Sequence, residues 1–417
     1  MANQSLKSIS GETLYITAVI MAVFFMTDRF TYSIVALLSS FLLYLLVKAK
    51  GKIRYPGIIN VLASYGLLIF LQMLVQPSTY FSFEIALKEL ARLCIYTLVI
   101  LVAANTQIRE ERFLKLWSFI FLFSLCIAVF QFMQIGWVSK ILVSVYGDSI
   151  FWGLSSYSSL DSFRSGSVFI NPNNYAKFIL AFLGIFLAID SRRTTSMTYA
   201  MLFSLAIVVS LLLAGSRTGM LIAAMMLASF CLRRIMTRKG KIRVGNLLIF
   251  ILLLLIGTVG ITIYVSIWSS DFAGFRALRI AAGLQNSMAY KVSTFCSMIG
   301  QFTATNLLMG MGPFETDVRY LTKIDFDLGY LVTFYGIAGC ILYAWMLHDV
   351  CQYRKHMPSR YSYLNKLLIL VFILFGLTGG MFFNLRSFTM LATIFYANIV
   401  GGYFETIRPS FPNETRP

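Results

Sequence analysis

A chain of 417 residues that is 58% hydrophobic and 12% charged, with a mean hydropathy of +0.77, has too little polar surface to coat a soluble globule. Its formal net charge of +18 would point to nucleic acid in a soluble protein. In so apolar a chain it reads as the basic excess that membrane proteins keep on their cytoplasmic side, and no nucleic-acid partner is expected.

In chain order, residues 1–11 are followed by no small-residue cleavage site, so the first apolar run is expected to be a span and not a removable leader. Apolar runs at 12–27, 31–48, 57–76, 86–105, 113–135, 173–190, 197–214, 218–234, 245–266, 328–348, 365–384 and 387–403 predict an all-α integral membrane protein of about twelve transmembrane helices. Each run is near the ~20 residues that cross a ~30 Å hydrocarbon core. The fourth is the least regular, with Lys88, Glu89 and Arg92 in its first third.

Most of the 35 Lys and Arg residues fall in alternate connections: Lys48 to Arg54, Arg109 to Lys115, Arg192 and Arg193, Arg233 to Arg243, and Arg354 to Lys366. With Lys7, Arg408 and Arg416 on the termini, that side is expected to be the cytoplasm, with both termini in it. Two opposite connections, 136–172 and 267–327, are long and rich in aromatics, and are expected to fold back onto a single membrane domain as periplasmic loops that roof a cavity. The six cysteines (94, 126, 231, 296, 340 and 351) have neither metal-ligand spacing nor an evident disulfide framework, and no metal or cofactor is expected.

The remaining cations lie on the outer side. Arg217 stands in AGSRTG (214–219), a short break between two apolar runs. An arginine at such a depth is costly unless it snorkels to the headgroups or faces a polar cavity. In the second case the neighbouring glycines and hydroxyls would let the backbone approach a phosphate. In RSGSVFINPNNYAKF (164–178), Arg164 and Lys177 flank Asn-Pro turn chemistry at 171–172 and an expected helix N-cap at Asn173 or Asn174, which serves either as a plain helix start or as part of an anion site. Asp325 and Asp327 precede the tenth run, where a carboxylate either pairs with Arg319 and Lys323 or acts as general base on a hydroxyl. Both histidines, His348 and His356, fall on the cytoplasmic side.

At these residues the chain resembles polysaccharide polymerases of the Wzy type, in the O-antigen ligase and polymerase superfamily. The resemblance is carried by the span layout, the Arg-x-Gly…Asn-Pro-Asn run at 164–173, the Gly-Ser-Arg at 215–217, and the stretch at 308–339 that joins Leu-x-Gly to Asp-x-Gly-Tyr-Leu and Gly-Ile-x-Gly. It implies a bacterial inner-membrane, metal-independent, inverting glycosyltransferase. The substrate would be an undecaprenyl-diphosphate-linked oligosaccharide held among membrane lipid and joined on the periplasmic face, with a polysaccharide chain-length regulator as candidate partner.

By motif position, Arg164 and Arg217 match the family's diphosphate-binding arginines. Lys291, with Arg276 and Arg279 upstream, stands where a further family arginine is expected; a lysine there lacks the bidentate fork. Ligases of the superfamily carry a histidine where this chain has Asp325 and Asp327, which favours polymerase over ligase. A twelve-span transporter or a lipid-linked oligosaccharide flippase is the rival class, and would show cations lining a path through the bundle.

Overall fold

A computed structural model of the chain describes residues 11–26, 30–48, 53–75, 82–133, 135–146, 164–169, 171–189, 197–237, 302–312, 326–353 and 359–400, with a few isolated positions between 293 and 300. The fold is almost entirely helical. Among the described residues, four helices are long and apolar enough to cross a membrane: Ile58–Val75, Glu110–Phe132, Asp327–Tyr353 and Arg360–Gly379. Shorter apolar helices accompany them, so the chain has the make-up of an all-α membrane protein.

The elements are α1 (Gly11–Ile20, continued by a π-turn at Met21–Phe25), α2 (Thr31–Lys48), α3 (Ile58–Val75), α4 (Phe83–Asn105), β1 (Gln107–Arg109), α5 (Glu110–Phe132), α6 (Gly136–Tyr146), α7 (Pro172–Ala188), α8 (Met197–Ala214) and α9 (Arg217–Thr237). They continue with α10 (Ala304–Met309), α11 (Asp327–Tyr330, then a π-turn at Leu331–Tyr335), α12 (Gly336–Tyr353), α13 (Ser359–Gly379), α14 (Leu385–Phe395) and β2 (Asn398–Val400).

Two helices lie wholly within the core, which also takes buried residues from α1, α3, α4, α5 and α13. From Tyr175 to Ala188 every residue of α7 is buried, as is every residue of α14 from Arg386 to Phe395. A helix apolar all round belongs inside other protein. Accordingly α7 packs on α13, α8 and α9, and α14 packs on α4. Stacked rings tie α5 to α7 and α8, with Phe121 lying over Phe182 at a centroid distance of 4.3 Å.

The helix ends sort into two groups. At one end Glu12 meets Arg109 and Arg112, Asn105 meets Arg54, the Ile58 amide donates to Asp349, and Glu110 meets Arg360. At the other end Arg386 reaches Phe24 and Val168, Gln131 meets Ser165 and Ser167, and Arg164 meets Ala214. Those two groups are what antiparallel alternation of α1 to α5 produces.

Three features depart from the expected runs. The run 365–384 stops being helical at Gly379, because Gly380 takes a left-handed φ of +55° and residues 380–384 turn the chain. The run 387–403 is helical only to Phe395. Its continuation pairs as a parallel ribbon with β1, with Ile108 opposite Ile399, so the fold is not wholly α. The ladder satisfies the backbone groups that the helix would otherwise have paired. The tenth run is interrupted at Leu331–Tyr335, and the segment 308–312 fills the break: Met311 and Gly312 donate their amides to the Thr333 and Phe334 carbonyls. Gly310 and Gly336, both at positive φ, are needed because the two backbones leave no room for a Cβ. This part of the second long loop therefore folds back onto the bundle. The run 245–266 lies outside the described residues.

Candidate anion-binding site

Three helices begin together at the Arg164 end. The N-cap of α7 is Asn171, whose side chain accepts from the Asn173 amide at 2.8 Å, and Pro172 follows at the first turn, where its missing N–H costs nothing. Asn384 caps α14 by accepting from the Ser387 amide at 2.9 Å. The start of α9 is set by Gly215 at φ +57° and by the Ser216 hydroxyl, which accepts from the Gly219 amide at 3.2 Å. Contacts bring the three together: Gly219 of α9 lies against Ala176 of α7, and Ser387 of α14 donates its hydroxyl to the Asn174 side chain at 3.1 Å. Unpaired amides and aligned peptide dipoles make such helix ends favourable to anions.

Arg164 joins two of them. Its Nε donates to the Ala214 carbonyl at 3.1 Å and an Nη to the Asn173 side chain at 3.0 Å. Its stem lies on Gly215, where an added Cβ would come within 3.1 Å of Cγ. The half-buried guanidinium is thus held against the Gly-Ser-Arg turn, and Arg217, two residues on, opens α9. The two motifs meet in space at the level of the backbone; the Arg217 side chain lies outside the described residues.

The strand leading out of Arg164 is pinned by Gln131, near the C-terminus of α5. Its Oε1 accepts from the Ser165 hydroxyl at 2.6 Å and from the Ser167 amide at 2.9 Å. Ser167 sits at φ +50°, among the described residues the one non-glycine at positive φ, and its hydroxyl donates to the Ser124 carbonyl. Such a conformation costs on the order of 1–3 kcal/mol and persists only where the surroundings fix it. Gln131 is not marked as a site residue by the sequence, in which it is a lone glutamine within an apolar run.

Other cations turn inward. Arg386 donates to the carbonyls of Val168 and Phe24 and lies 5.1 Å from the centroid of the Tyr146 ring. Burial pushes the Tyr146 hydroxyl above its ordinary pKa, so it stands neutral beside that arginine. Arg92 is ion-paired with Glu89 and packed on the rings of Phe383, Phe382 and Tyr96.

Lys177, expected to face the anion site, instead donates to the carbonyls of Gly379 and Gly380 and to the Asn174 side chain. It is 1% exposed on a helix buried on every side, and the C-terminal carbonyls of α13 are its partners. Asp327 is likewise 1% exposed, and its carboxylate accepts from the amides of Met381 and Phe382 at 2.8 to 3.1 Å. Asp325, Lys291, Arg276 and Arg279 lie outside the described residues.

Among the described residues no group of three or more His, Cys, Asp and Glu is arranged to hold a metal ion. An apolar crevice lined by Ile58, Met346, Phe372, Phe388 and Tyr396 opens between α3, α12, α13 and α14; none of its lining residues is charged.

No protein-family model matches the chain, and no curated protein matches it. The fold and the site define a class: an almost entirely helical protein with apolar helices of membrane-crossing length, in which the N-termini of α7, α9 and α14 gather beside Arg164 at one end.

Proposed function

We propose that the chain is a polymerase that joins undecaprenyl-diphosphate-linked oligosaccharide repeat units into a surface polysaccharide by glycosyl transfer on the periplasmic face of the inner membrane. The observation that carries the reading is Arg164, fixed by two hydrogen bonds beside the Gly215 turn that opens the Arg217 helix and beside the first turn of α7. A lipid-borne diphosphate resides at headgroup level, where a bundle end lies, and two arginines with adjoining helix N-termini suit its charge and its oxygen geometry.

In the reaction, a hydroxyl of the acceptor sugar attacks the anomeric carbon from the face opposite the diphosphate. The new C–O bond forms as the bond to the diphosphate oxygen breaks, and the diphosphate departs with its lipid. Arg164 and Arg217 stabilise the negative charge that collects on it. The hydroxyl proton passes to a carboxylate, a role assigned to Asp325 because both oxygens of Asp327 are engaged by backbone amides. Aspartates in place of a histidine favour polymerase over ligase.

The test is complementation of a deletion strain, read as the banding ladder of its surface polysaccharide. Arg164→Ala and Arg217→Ala each reduce transfer by about 10²–10³-fold, the usual effect of removing a transition-state donor, and shorten the ladder to a single repeat while the protein stays in the membrane. Full-length ladders from both variants would overturn the proposal. Long chains left on the carrier after deletion would assign the ligase reaction instead.

A further inference from the structure

We infer that Asp327 and Lys177 are positioning residues: together they pin the 379–384 turn between α13 and α14, and thereby set the N-terminus of α14 in the anion site. The inference deepens the proposed function and rests on it for the identity of that site. At the turn the chain reverses in the interior of the bundle, where backbone groups have no water to turn to. The carbonyls of Gly379, the last residue of α13, and of Gly380, and the amides of Met381 and Phe382, would each be left unsatisfied, and a buried unpaired polar group is costly.

The two ionic side chains match that polarity. A cation, Lys177 of α7, sits on the carbonyls; an anion, Asp327 at the start of α11, sits on the amides. A third charge holds the turn's side chains: Arg92 of α4 lies 4.7 Å from the Phe383 ring and 5.5 Å from that of Phe382. From the same helix, the Tyr96 hydroxyl donates to the Phe382 carbonyl at 2.6 Å.

The residues just past the turn belong to the site. Asn384 caps α14, Arg386 anchors the Val168 backbone, and Ser387 donates to Asn174, which also accepts from Lys177. Releasing either ionic side chain frees the turn and the start of α14 with it. A general base requires an oxygen turned to the incoming hydroxyl. Asp327, buried and saturated by two amides, has the geometry of an anchor.

An anchor and a base respond differently to Asp327→Asn. The amide side chain keeps an acceptor for the two backbone N–H groups but takes up no proton. Purified full-length wild type, Asp327→Asn, Asp327→Ala and Lys177→Met are compared by thermal melting, by calorimetric binding of inorganic pyrophosphate, and by the polysaccharide ladder and its pH profile in the complemented deletion strain. Asp327→Asn melts with wild type, keeps a ladder of at least half the wild-type modal length and retains the wild-type pH profile. Asp327→Ala and Lys177→Met melt lower and bind pyrophosphate about tenfold more weakly, equivalent to about 1.4 kcal/mol.

The inference is overturned if Asp327→Asn loses polymer as completely as Asp327→Ala while melting like wild type, which is the behaviour of a base. It is overturned equally if Asp327→Ala melts like wild type. Should wild type bind no pyrophosphate and the deletion leave the ladder unchanged, the polymerase reading fails and, with it, the assignment of this site; melting then decides whether the pinned turn itself stands.

Discussion

Gly215 is where backbone conformation and ligand chemistry meet in one residue. Its φ of +57° is open to glycine and strained by about 1–2 kcal/mol for an L-residue, and its face is occupied by the Arg164 stem. Gly215→Ala is therefore expected to lower the melting temperature and to push Arg164 off the Ala214 carbonyl, with a shortened polysaccharide ladder as the readout. Gly136→Ala, where nothing lies within 4 Å of the added carbon, is the matching control and leaves both unchanged. Arg164→Lys tests the same point from the other partner. A lysine keeps the charge but cannot bond Ala214 and Asn173 at once in the fork geometry, so it is expected to fall well short of wild-type polymer length. The motifs around Arg164 and Arg217 were legible in the sequence as unusual charges near apolar runs. That the two share a site was expected from the family resemblance; the contacts that join them were not, because nothing local in either stretch specifies a partner that far along the chain. Gln131, which holds the Ser165–Ser167 backbone in place, was hidden because a lone glutamine in an apolar run has many harmless explanations.

Helices set by length alone were the readable elements. The runs 31–48 and 197–214 coincide with α2 and α8, because a hydrocarbon layer fixes how long an apolar helix must be. The runs did not encode where a buried segment ceases to be helical. Composition marks 380–384 and 396–400 as interior, but the turn at Gly380 and the ribbon with β1 depend on partners distant in the chain, the Lys177 and Asp327 side chains for one and Gln107–Arg109 for the other. The caps were only partly readable: the sequence places the N-cap of α7 at Asn173 or Asn174, whereas Asn171 fills it because Pro172 already opens the helix, and Asn384, inside an apolar run, carries no such mark. Asn384→Ala is expected to cost about 1 kcal/mol, the ordinary worth of an N-cap, and Asn384→Ser to recover most of it. Melting of the purified protein checks the pair; equal loss in both variants would mean that the side chain serves α14 in some other way.

Across the whole molecule, the sorting of helix ends into two groups makes the sidedness of the protein testable with few measurements. The Glu12 end gathers Arg109, Arg112, Arg54 and Arg360, each beside a carboxylate or a capped helix end, while the Arg164 end gathers helix N-termini around its arginines. If the basic excess of the short connections is retained on the cytoplasmic side, the Glu12 end is expected to lie inside the cell. On the proposed function, the opposite end is expected to face the periplasm, where it would meet a lipid-linked diphosphate donor. Alkaline phosphatase is active only after export, so it is expected to be active when fused after Tyr146 and inactive when fused after Arg109 or Tyr353. A cytoplasmic fluorescent reporter at the same positions should give the inverse pattern. If the phosphatase were instead active after Arg109 and silent after Tyr146, the arginines and helix N-termini would face the cytoplasm, beyond reach of the exported donor. A polymerase could not work from that side, and the same anion chemistry would then have to serve a phosphorylated ligand within the cell.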